Sequence, residues 1–491
     1  MIPVPGFEGR RVAVFGLGRS GITAARALQA GGAVPVLWDD GVSGRMQAEA
    51  EGFVVEDLTR ADWSGFAALV LSPGAPLTHP KPHWTVERAL QAGVPVIGDV
   101  ELFARALDAL PTGQRPRVVA ITGTNGKSTT TALIGWVLKS AGLSVHIGGN
   151  IGIGVLALPA PTPEAVYVIE VSSYQLDLTT RFAPDVAILT NISPDHLDRH
   201  GGMEGYVAAK RRIFQAQGPE ALALVGVDEA WGQGIAADLC AQGRRICTVS
   251  TSAHPRGSEG PVRAAHATPP EPLQPKTWVP ASAMSGIEAE PGALLADGDV
   301  LADLSVARSL PGRHNAQNAA FAYAAARALG VSHDAAVEGL LTFPGLAHRM
   351  EAVGRLGPIR FINDSKGTNA DAARQALASY PSVFWIAGGK AKEGGIDSLR
   401  DLFPHVAKAY LIGEAAEAFA ETLGDTPHVV AHSMERAVEL AAADAAKAGG
   451  EQVVLLSPAC ASFDQFPDFE VRGEAFRAAV LALGAKPEPA A

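Results

Sequence analysis

Three cysteines (Cys240, Cys247 and Cys460) are too few to staple a chain of 491 residues, and no two stand at CxxC spacing. A disulfide scaffold is excluded. Aromatic residues are scarce at 6% and charged residues make up only 19%. No uninterrupted apolar run reaches the ~18 residues expected of a membrane span. Positive charge is also in deficit: 40 Lys and Arg against 51 Asp and Glu leave a formal charge of −11, which argues against a broad nucleic-acid footprint. The N-terminus shows no apolar stretch ahead of a cleavage site. These shortages predict a soluble, cytoplasmic protein with no nucleic-acid partner and no stable membrane insertion; a monomer is the expectation, although the sequence itself does not report the oligomeric state.

What the chain has in quantity is apolar side chain, 47%, together with 53 glycines and 34 prolines. The first suffices for sizeable cores, and the second implies many tight turns. At ~150 residues per domain, the length predicts about three domains. The first unit reads strand, glycine turn, helix: Arg11 to Phe15, then GLGRSG at Gly16 to Gly21, then an alanine-rich helix to about Ala30. Strands at Val34 to Trp38, Ala68 to Leu71 and Val94 to Ile97 follow, and the unit closes before the linker-like PTGQRP. The second unit opens with VVAI at Val118 to Ile121, a glycine turn and a helix from Lys127. Further strands are expected at Val166 to Ile169, Val186 to Leu189 and Ala221 to Val225. Residues 251–291 hold eight prolines and read as an irregular surface insertion. The third unit has strands at Arg360 to Ile362, Val383 to Ala387, Ala409 to Ile412 and Val453 to Leu456, and a tail from Lys486 that should fray. Apolar strands alternating with helices predict parallel sheets covered on both faces. The domain boundaries are placed at 1–112, 113–345 and 346–491.

Two glycine turns carry chemistry. Gly16, Gly18 and Gly21, with Asp39 at the end of the next strand, fit a GxGxxG pattern. That turn suits a nucleotide or nucleotide-diphosphate ligand, or is simply a tight turn. ITGTNGKSTT, Ile121 to Thr130, is the more demanding signal. Ile121 stands where the strict Walker A pattern needs glycine, so the strict motif fails. The physics survives: backbone N–H groups near Gly123, Thr124, Asn125 and Gly126 can wrap a phosphate, Lys127 can neutralise it, and Ser128 can offer a hydroxyl to Mg²⁺. Glu170 in EVSSYQ and His196 in NISPDHLD each follow an apolar strand, where open parallel sheets bind ligands. Glu170 is a candidate metal ligand or an ordinary surface carboxylate. Lys210, followed by Arg211 and Arg212, reads from spacing as a solvated helix face, although crowded cations would lower its pKa.

Five segments together resemble the Mur ligases: GTNGKSTT (Gly123 to Thr130), EVSSYQL (Glu170 to Leu176), NISPDHLDRH (Asn191 to His200), NDSKGTN (Asn363 to Asn369) and LSPACASFDQF (Leu456 to Phe466). GGNIG, GRHNAQNA and AHR add smaller matches. The resemblance runs from about Val12 to Leu483 and fails at the proline-rich insertion. It implies an α/β protein of three domains: N-terminal Rossmann-like, central P-loop ATPase-like with a parallel sheet, and C-terminal Rossmann-like. It also implies ATP-dependent ligation of D-glutamate to UDP-N-acetylmuramoyl-L-alanine through an acyl phosphate, in peptidoglycan precursor synthesis. Asp364 to Lys366 and Ser457 to Ser462 resemble the type that adds D-glutamate. The alternative is a sister ligase adding another amino acid, such as L-glutamate.

Residue roles follow from the resemblance alone. Gly16, Gly18, Arg19, Ser20, Gly21, Asp39, Ser72, Pro73 and Gly74 would line the uridine-diphosphate pocket, and Asn150 would contact the same substrate. ATP would be held by Gly123 to Thr129, with Lys127 on its phosphates and Asn315 and Asn318 near adenine. Arg349 and Asp364 would meet the nucleotide from the third domain. Ser128 and Glu170 would serve a first Mg²⁺; His196 and a carbamylated Lys210 would serve a second. Thr368, Lys392, Ser462, Phe463 and Phe469 would bind glutamate. Gly367 stands where this type more often has alanine, and a one-methyl difference beside Thr368 is expected to be tolerated. An NAD-dependent dehydrogenase would use the first glycine turn but leave Lys127, Glu170 and the third domain without a task. A folylpolyglutamate synthetase lacks the UDP-binding domain.

Overall fold

A computed structural model describes residues 1–251, 286–296, 299–307, 309–391 and 394–487, with only the backbone of Arg19. Lys392 and most of the proline-rich insertion lie outside the described residues. The chain divides into two compact units, Met1–Ala289 with Leu294–Leu301 and Gln317–Leu340, and Glu290–Ala293 with Ala302–Ala316 and Leu341–Ala491.

The first unit begins with β1 (Arg11–Phe15), α1 (Arg19–Ala30), β2 (Val34–Trp38), α2 (Val42–Ala50), β3 (Val54–Val55), β4 (Phe66–Leu71), α3 (Trp84–Gln91), β5 (Val96–Ile97) and α4 (Asp99–Asp108). The strands form a parallel sheet in the order β3-β2-β1-β4-β5. Val12, Val14, Leu69 and Leu71 are buried, as the short apolar runs require when helices cover both faces. The order reverses between β1 and β4, so the glycine turn after β1 and the turn after β4 meet at the switch point where such sheets take ligands.

A second sheet follows through β6 (Arg117–Thr122), α5 (Lys127–Ser140), β7 (Ser144–Gly149), β8 (Ala165–Glu170), α6 (Ser173–Asp177), β9 (Val186–Leu189), α7 (Leu197–His200), α8 (Met203–Arg211), β10 (Leu222–Gly226), α9 (Ala230–Ala241) and β11 (Arg245–Thr251). It continues with β12 (Gly286–Glu290), β13 (Ala293–Ala296) and β14 (Asp299–Asp303), before α10 (Arg313–Ala328) and α11 (His333–Leu341). Nine described strands lie in the order β14-β13-β12-β11-β10-β9-β6-β8-β7. The loop after β6 is thus flanked by the ends of β8 and β9, which carry the EVSSYQ and NIS segments. β12 pairs parallel with β11, so the last part of the stretch expected to be irregular to 291, from Gly286, is a strand.

The other unit holds β15 (Glu351–Leu356), β16 (Ile359–Asn363), α12 (Ala370–Ala378), β17 (Val383–Gly388), β18 (Val406–Ile412), α13 (Ala416–Leu423), β19 (His428–His432), α14 (Met434–Ala448), β20 (Gln452–Leu456), α15 (Phe469–Ala482) and β21 (Lys486–Pro487). Its sheet runs β19-β18-β17-β20-β16-β15-β21. α14 buries Met434, Ala437, Val438, Ala441, Ala442 and Ala445, the three- and four-residue spacing of one helix face. Two expectations fail here. β15 is antiparallel to β16, because the two strands follow each other directly as a hairpin. Of the tail expected to fray, Lys486 and Pro487 instead pair antiparallel with Arg355 and Gly354, and residues 488–491 lie outside the described residues. The three-domain α/β architecture expected from sequence stands.

Candidate functional site

The loop after β6 is built by what lies beside it. Gly123 has φ +146°, and a Cβ there would overlap the Thr190 hydroxyl; only glycine lets the loop lie so close to β9. Thr124 N–H donates to the Asn191 carbonyl at 2.9 Å, and Asn125 N–H to Asn191 Oδ1 at 2.8 Å. Thr190 Oγ1 donates to the Asn125 carbonyl at 2.7 Å, while Thr124 Oγ1 lies 3.1 Å from the Tyr206 hydroxyl. Two N–H groups expected to wrap a phosphate are therefore spent on Asn191. What remains for an anion is the start of α5, capped by Gly126, where the first amides lack intrahelical acceptors. Ser128 is buried there and Thr129 half-buried. Asn318 packs against this turn, its Oδ1 accepting from Thr130 Oγ1 at 3.0 Å.

Two lysines converge on one carbonyl. Lys127 Nζ donates to Gly123 O at 2.9 Å and to Thr124 O at 2.7 Å. Lys210 Nζ reaches the same Gly123 oxygen at 2.6 Å from α8. Lys210 is 1% exposed, which overturns the solvated helix face expected from spacing. Its pKa is lowered well below the usual lysine range by burial and then by Lys127, with Asp195 and Glu170 opposing. The neighbouring arginines are not the cause. One and two steps along a helix place them on other faces: Arg211 pairs with Asp238 and Arg212 donates to the carbonyls of Leu176 and Thr179.

Glu170 ends β8 and is 2% exposed, so the surface-carboxylate alternative fails. Asn150 Nδ2 donates to its Oε1 at 2.8 Å, whereas Oε2 is buried with no hydrogen-bond partner. An orphaned carboxylate oxygen on a residue that also acts electrostatically on Lys210 fits a hard cation such as Mg²⁺. Among the described residues no three His, Cys, Asp or Glu side chains cluster as a complete metal cage. His196 is exposed at φ 55°, 3.5 Å from Asp195 and ring to ring with Tyr174.

At the switch point of the first sheet, Ser72 N–H donates to Phe15 O at 2.9 Å, and Ser72 lies against Gly16. Asp39 Oδ2 accepts from Leu17 N–H at 2.6 Å and Oδ1 from Gly41 N–H at 2.7 Å, tying the glycine turn to the end of β2. Gly18 and Gly74 are exposed, while Ser20 and Pro73 are half-buried. Gly21 lies so close to the Gly16 carbonyl that a Cβ would overlap it. α4 fastens this part to the second sheet. Glu101, 0% exposed, accepts at Oε2 from Thr180 N–H at 2.8 Å, Arg181 N–H at 3.0 Å and Thr179 Oγ1 at 3.0 Å.

In the unit that holds β15 to β21, Asp364, Ser457 and Gly389 follow β16, β20 and β17, three adjacent strands. Asp364 Oδ2 accepts from Ser457 Oγ at 2.8 Å, and burial pushes its carboxyl up to about 7 against the opposing pull of Ser457 and Arg349. Asn315 is buried and donates to Pro311 O at 3.0 Å. A Cβ on Gly367 would sit 2.6 Å from Asp364 Oδ2 and 2.8 Å from Ser457 Oγ, so an added methyl requires these two side-chain ends to shift. Thr368 N–H donates to Lys366 O at 2.8 Å. Ser462 is buried, Phe463 is 72% exposed, and the Phe469 ring lies under Lys366 Nζ at 4.1 Å. Sequence reasoning passed over Arg472. It is 1% exposed and donates to Ser365 O at 2.8 Å and Cys460 O at 3.0 Å, locking the two motif loops together. Asn191 and Tyr206 were likewise passed over, although Asn191 opens a quoted motif.

A loop of phosphate-binding form, an orphaned carboxylate and a buried lysine with a depressed pKa describe a nucleotide-dependent α/β enzyme site. The Mur ligase middle domain matches residues 121–268, and the Mur ligase glutamate ligase domain matches residues 348–460. A UDP-N-acetylmuramoylalanine–D-glutamate ligase of Caulobacter vibrioides (strain NA1000 / CB15N) is 60% identical over 490 residues, covering 99% of this chain and 98% of that protein. A ligase of the same name from Phenylobacterium zucineum (strain HLK1) is 59% identical over 492 residues, 98% of each. Among solved structures, the UDP-N-acetylmuramate-alanine ligase MurC of Thermotoga maritima superposes with a TM-score of 0.56 at 16% identity, over 96% of this chain and 99% of that one. The chain belongs to the Mur ligase family.

Proposed function

We propose that this chain joins D-glutamate to UDP-N-acetylmuramoyl-L-alanine at the expense of ATP, supplying a peptidoglycan precursor. The observation that carries the reading is the meeting of Lys127, Lys210 and the unpartnered Glu170 oxygen around the β6 loop, in a chain related end to end to ligases of that name. Domains at 1–112, 113–345 and 346–491 are assigned to the UDP-linked substrate, ATP and glutamate respectively.

In this reading a carboxylate oxygen of the alanyl group attacks the γ-phosphorus, and ADP leaves. The amine of glutamate then attacks the acyl carbon; inorganic phosphate departs and the amine loses a proton. Carboxylate and triphosphate repel, so positive charge must stand between them. Lys127 supplies one such charge by turning from the loop carbonyls to phosphate. Mg²⁺, when bound, neutralises the phosphates and orients them; Ser128 and Glu170 are the residues assigned to a first ion, His196 and Lys210 to a second. Lys210 as an ammonium cannot be a ligand. Its depressed pKa favours the neutral amine, whose nitrogen attacks CO₂ and releases a proton, leaving an anionic carbamate with two oxygens. Asn150 holds Glu170 in place. Asn315, Asn318, Arg349 and Asp364 keep the nucleotide role proposed from sequence, and Thr368, Lys392, Ser462, Phe463 and Phe469 the glutamate role.

Phosphate release is the test. It should require ATP, UDP-N-acetylmuramoyl-L-alanine and D-glutamate together, and L-glutamate should not replace the D-enantiomer. Release without the UDP-linked substrate, or equal use of L-glutamate, would overturn the reading.

A further inference from the structure

The turn after β4 and the segment carrying His196 belong to different sheets, yet one side chain joins them. Arg199, in α7 three residues beyond His196, donates from Nη1 to the Gly74 carbonyl at 3.1 Å and from Nη2 to the Pro73 carbonyl at 3.4 Å. Ala75 N–H closes the turn onto Ser72 O at 3.0 Å, so the two carbonyls belong to its central residues. A guanidinium that holds both fixes the planes of the peptides that follow Pro73 and Gly74. The guanidinium carbon also lies 4.6 Å over the Tyr174 ring. That ring meets His196 at 5.1 Å and stacks on His200 at 5.4 Å. His200 in turn bonds Ser173 Oγ at 2.9 Å and Asp177 at 3.1 Å, anchoring the assembly to α6, just beyond Glu170.

Folding alone does not favour an arginine here. Its Nε–H is buried with no acceptor, which penalises the folded state. An apolar side chain could lie against Pro73, Ala75, Leu77 and Tyr174, which line the same small pocket, without that penalty. What the apolar chain could not do is set the turn relative to His196.

We propose that Arg199 is a positioning residue for the UDP-linked substrate. It holds the 72–74 turn, assigned to the UDP-linked substrate, in register with the segment of His196, the residue assigned to the second Mg²⁺. This inference rests on the substrate reading above. Lysine is no full replacement: an ammonium can meet two adjacent carbonyls, as Lys127 does, but it lacks the rigid planar fork that fixes both directions while its face lies over the Tyr174 ring.

The test uses the full chain as wild type, Arg199→Lys and Arg199→Met. Calorimetric titration with UDP-N-acetylmuramoyl-L-alanine and, separately, with a non-hydrolysable ATP analogue gives affinities that do not depend on turnover. Both variants should bind the UDP-linked substrate about tenfold more weakly, the scale of losing such hydrogen bonds, with ATP-analogue affinity unchanged and kcat reduced. Methionine fills the volume, so its melting midpoint should stay near that of the wild type. Unchanged UDP-substrate affinity in both variants would overturn the proposal and leave the ligase reading standing. Parallel loss of both ligands would reduce Arg199 to a structural role and refute it as well. A wild type that binds the ATP analogue but not the UDP-linked substrate would overturn the ligase reading, and this inference with it.

Discussion

Replacing Glu101 tests whether α4 is a true fastening between the first two sheets. The carboxylate is fully buried and accepts at Oε2 from Thr179 Oγ1 and the N–H groups of Thr180 and Arg181, and at Oε1 from Arg105 Nε at 3.1 Å, with the Thr180 hydroxyl 3.4 Å from Oε1 and 3.5 Å from Oε2. Glu101→Ala strands two backbone N–H groups, a hydroxyl and a guanidinium donor. At ~1–3 kcal/mol for each unsatisfied buried group, with partial rescue by water, the loss should be about 3–5 kcal/mol. That corresponds to a melting midpoint lowered by roughly 6–10 °C in a unit of this size. Glu101→Gln should cost much less, ~1–2 kcal/mol. Its carbonyl can take the Oε2 position and keep three neutral bonds, but its amide then faces the Arg105 donor. The variants should also differ with pH. Burial opposes ionisation of Glu101, yet the donors of Thr180, Arg181, Thr179 and Arg105 outweigh it and hold the pKa below the usual value. A depressed folded-state pKa contributes stability that is complete above the unfolded value of ~4.3 and is lost as pH falls through the folded one. Wild type should therefore lose its advantage over Glu101→Gln below about pH 4. Thermal unfolding from pH 3 to pH 8 measures both effects. A loss under ~1 kcal/mol in Glu101→Ala at neutral pH would refute the reasoning, since the stranded groups would have found other partners.

Lys127→Ala should keep the wild-type melting midpoint and lower kcat by ~10²–10³, the scale for losing one charge contact to a transition state; near-normal kcat would remove the residue from the phosphate site. Lys210→Ala should be almost inactive and partly restored by acetate or formate, and Lys210→Arg should stay inactive despite its charge. Carbon NMR with labelled bicarbonate should show one added carboxyl, and a fully active arginine variant would instead favour an ammonium. Gly367→Ala should push Asp364 off Ser457 and cost about 1.5–3 kcal/mol, the value of a hydrogen bond to a charged group. Unfolding in urea measures it, and an unchanged midpoint would mean that the 364–367 turn yields without loss.

Much of this was legible because it is local. Strand, glycine turn and helix can be read along the chain, and so could β1, β6 and the phosphate loop. β7 was missed because His146 and two glycines interrupt its apolar run. Lys210 was misjudged because helix spacing tells which residues share a face, not what that face meets; its burial is decided by the β6 loop, 87 residues away. Arg472 and Glu101 escaped notice for the same reason. Each is an ordinary charged residue in a helix until partners from distant segments surround it. What surrounds Gly367 was equally invisible: the sequence cannot show that a methyl there would meet the ends of Asp364 and Ser457.

The two-residue strand at Lys486–Pro487 bears on how the protein behaves in company. A sheet edge with free amides and carbonyls is a template on which another chain can add itself. Here the outer partner of Gly354 and Arg355 is already supplied by the chain's own last described residues. The outermost position is a proline, which has no amide hydrogen to offer a newcomer and is a recognised way of blunting an edge. Cutting the chain before Lys486, or attaching a tag that draws this strand away, would uncover the backbone of β15. Self-association would follow from a change more than a hundred residues from it in sequence, with every residue of the reaction site left as it was.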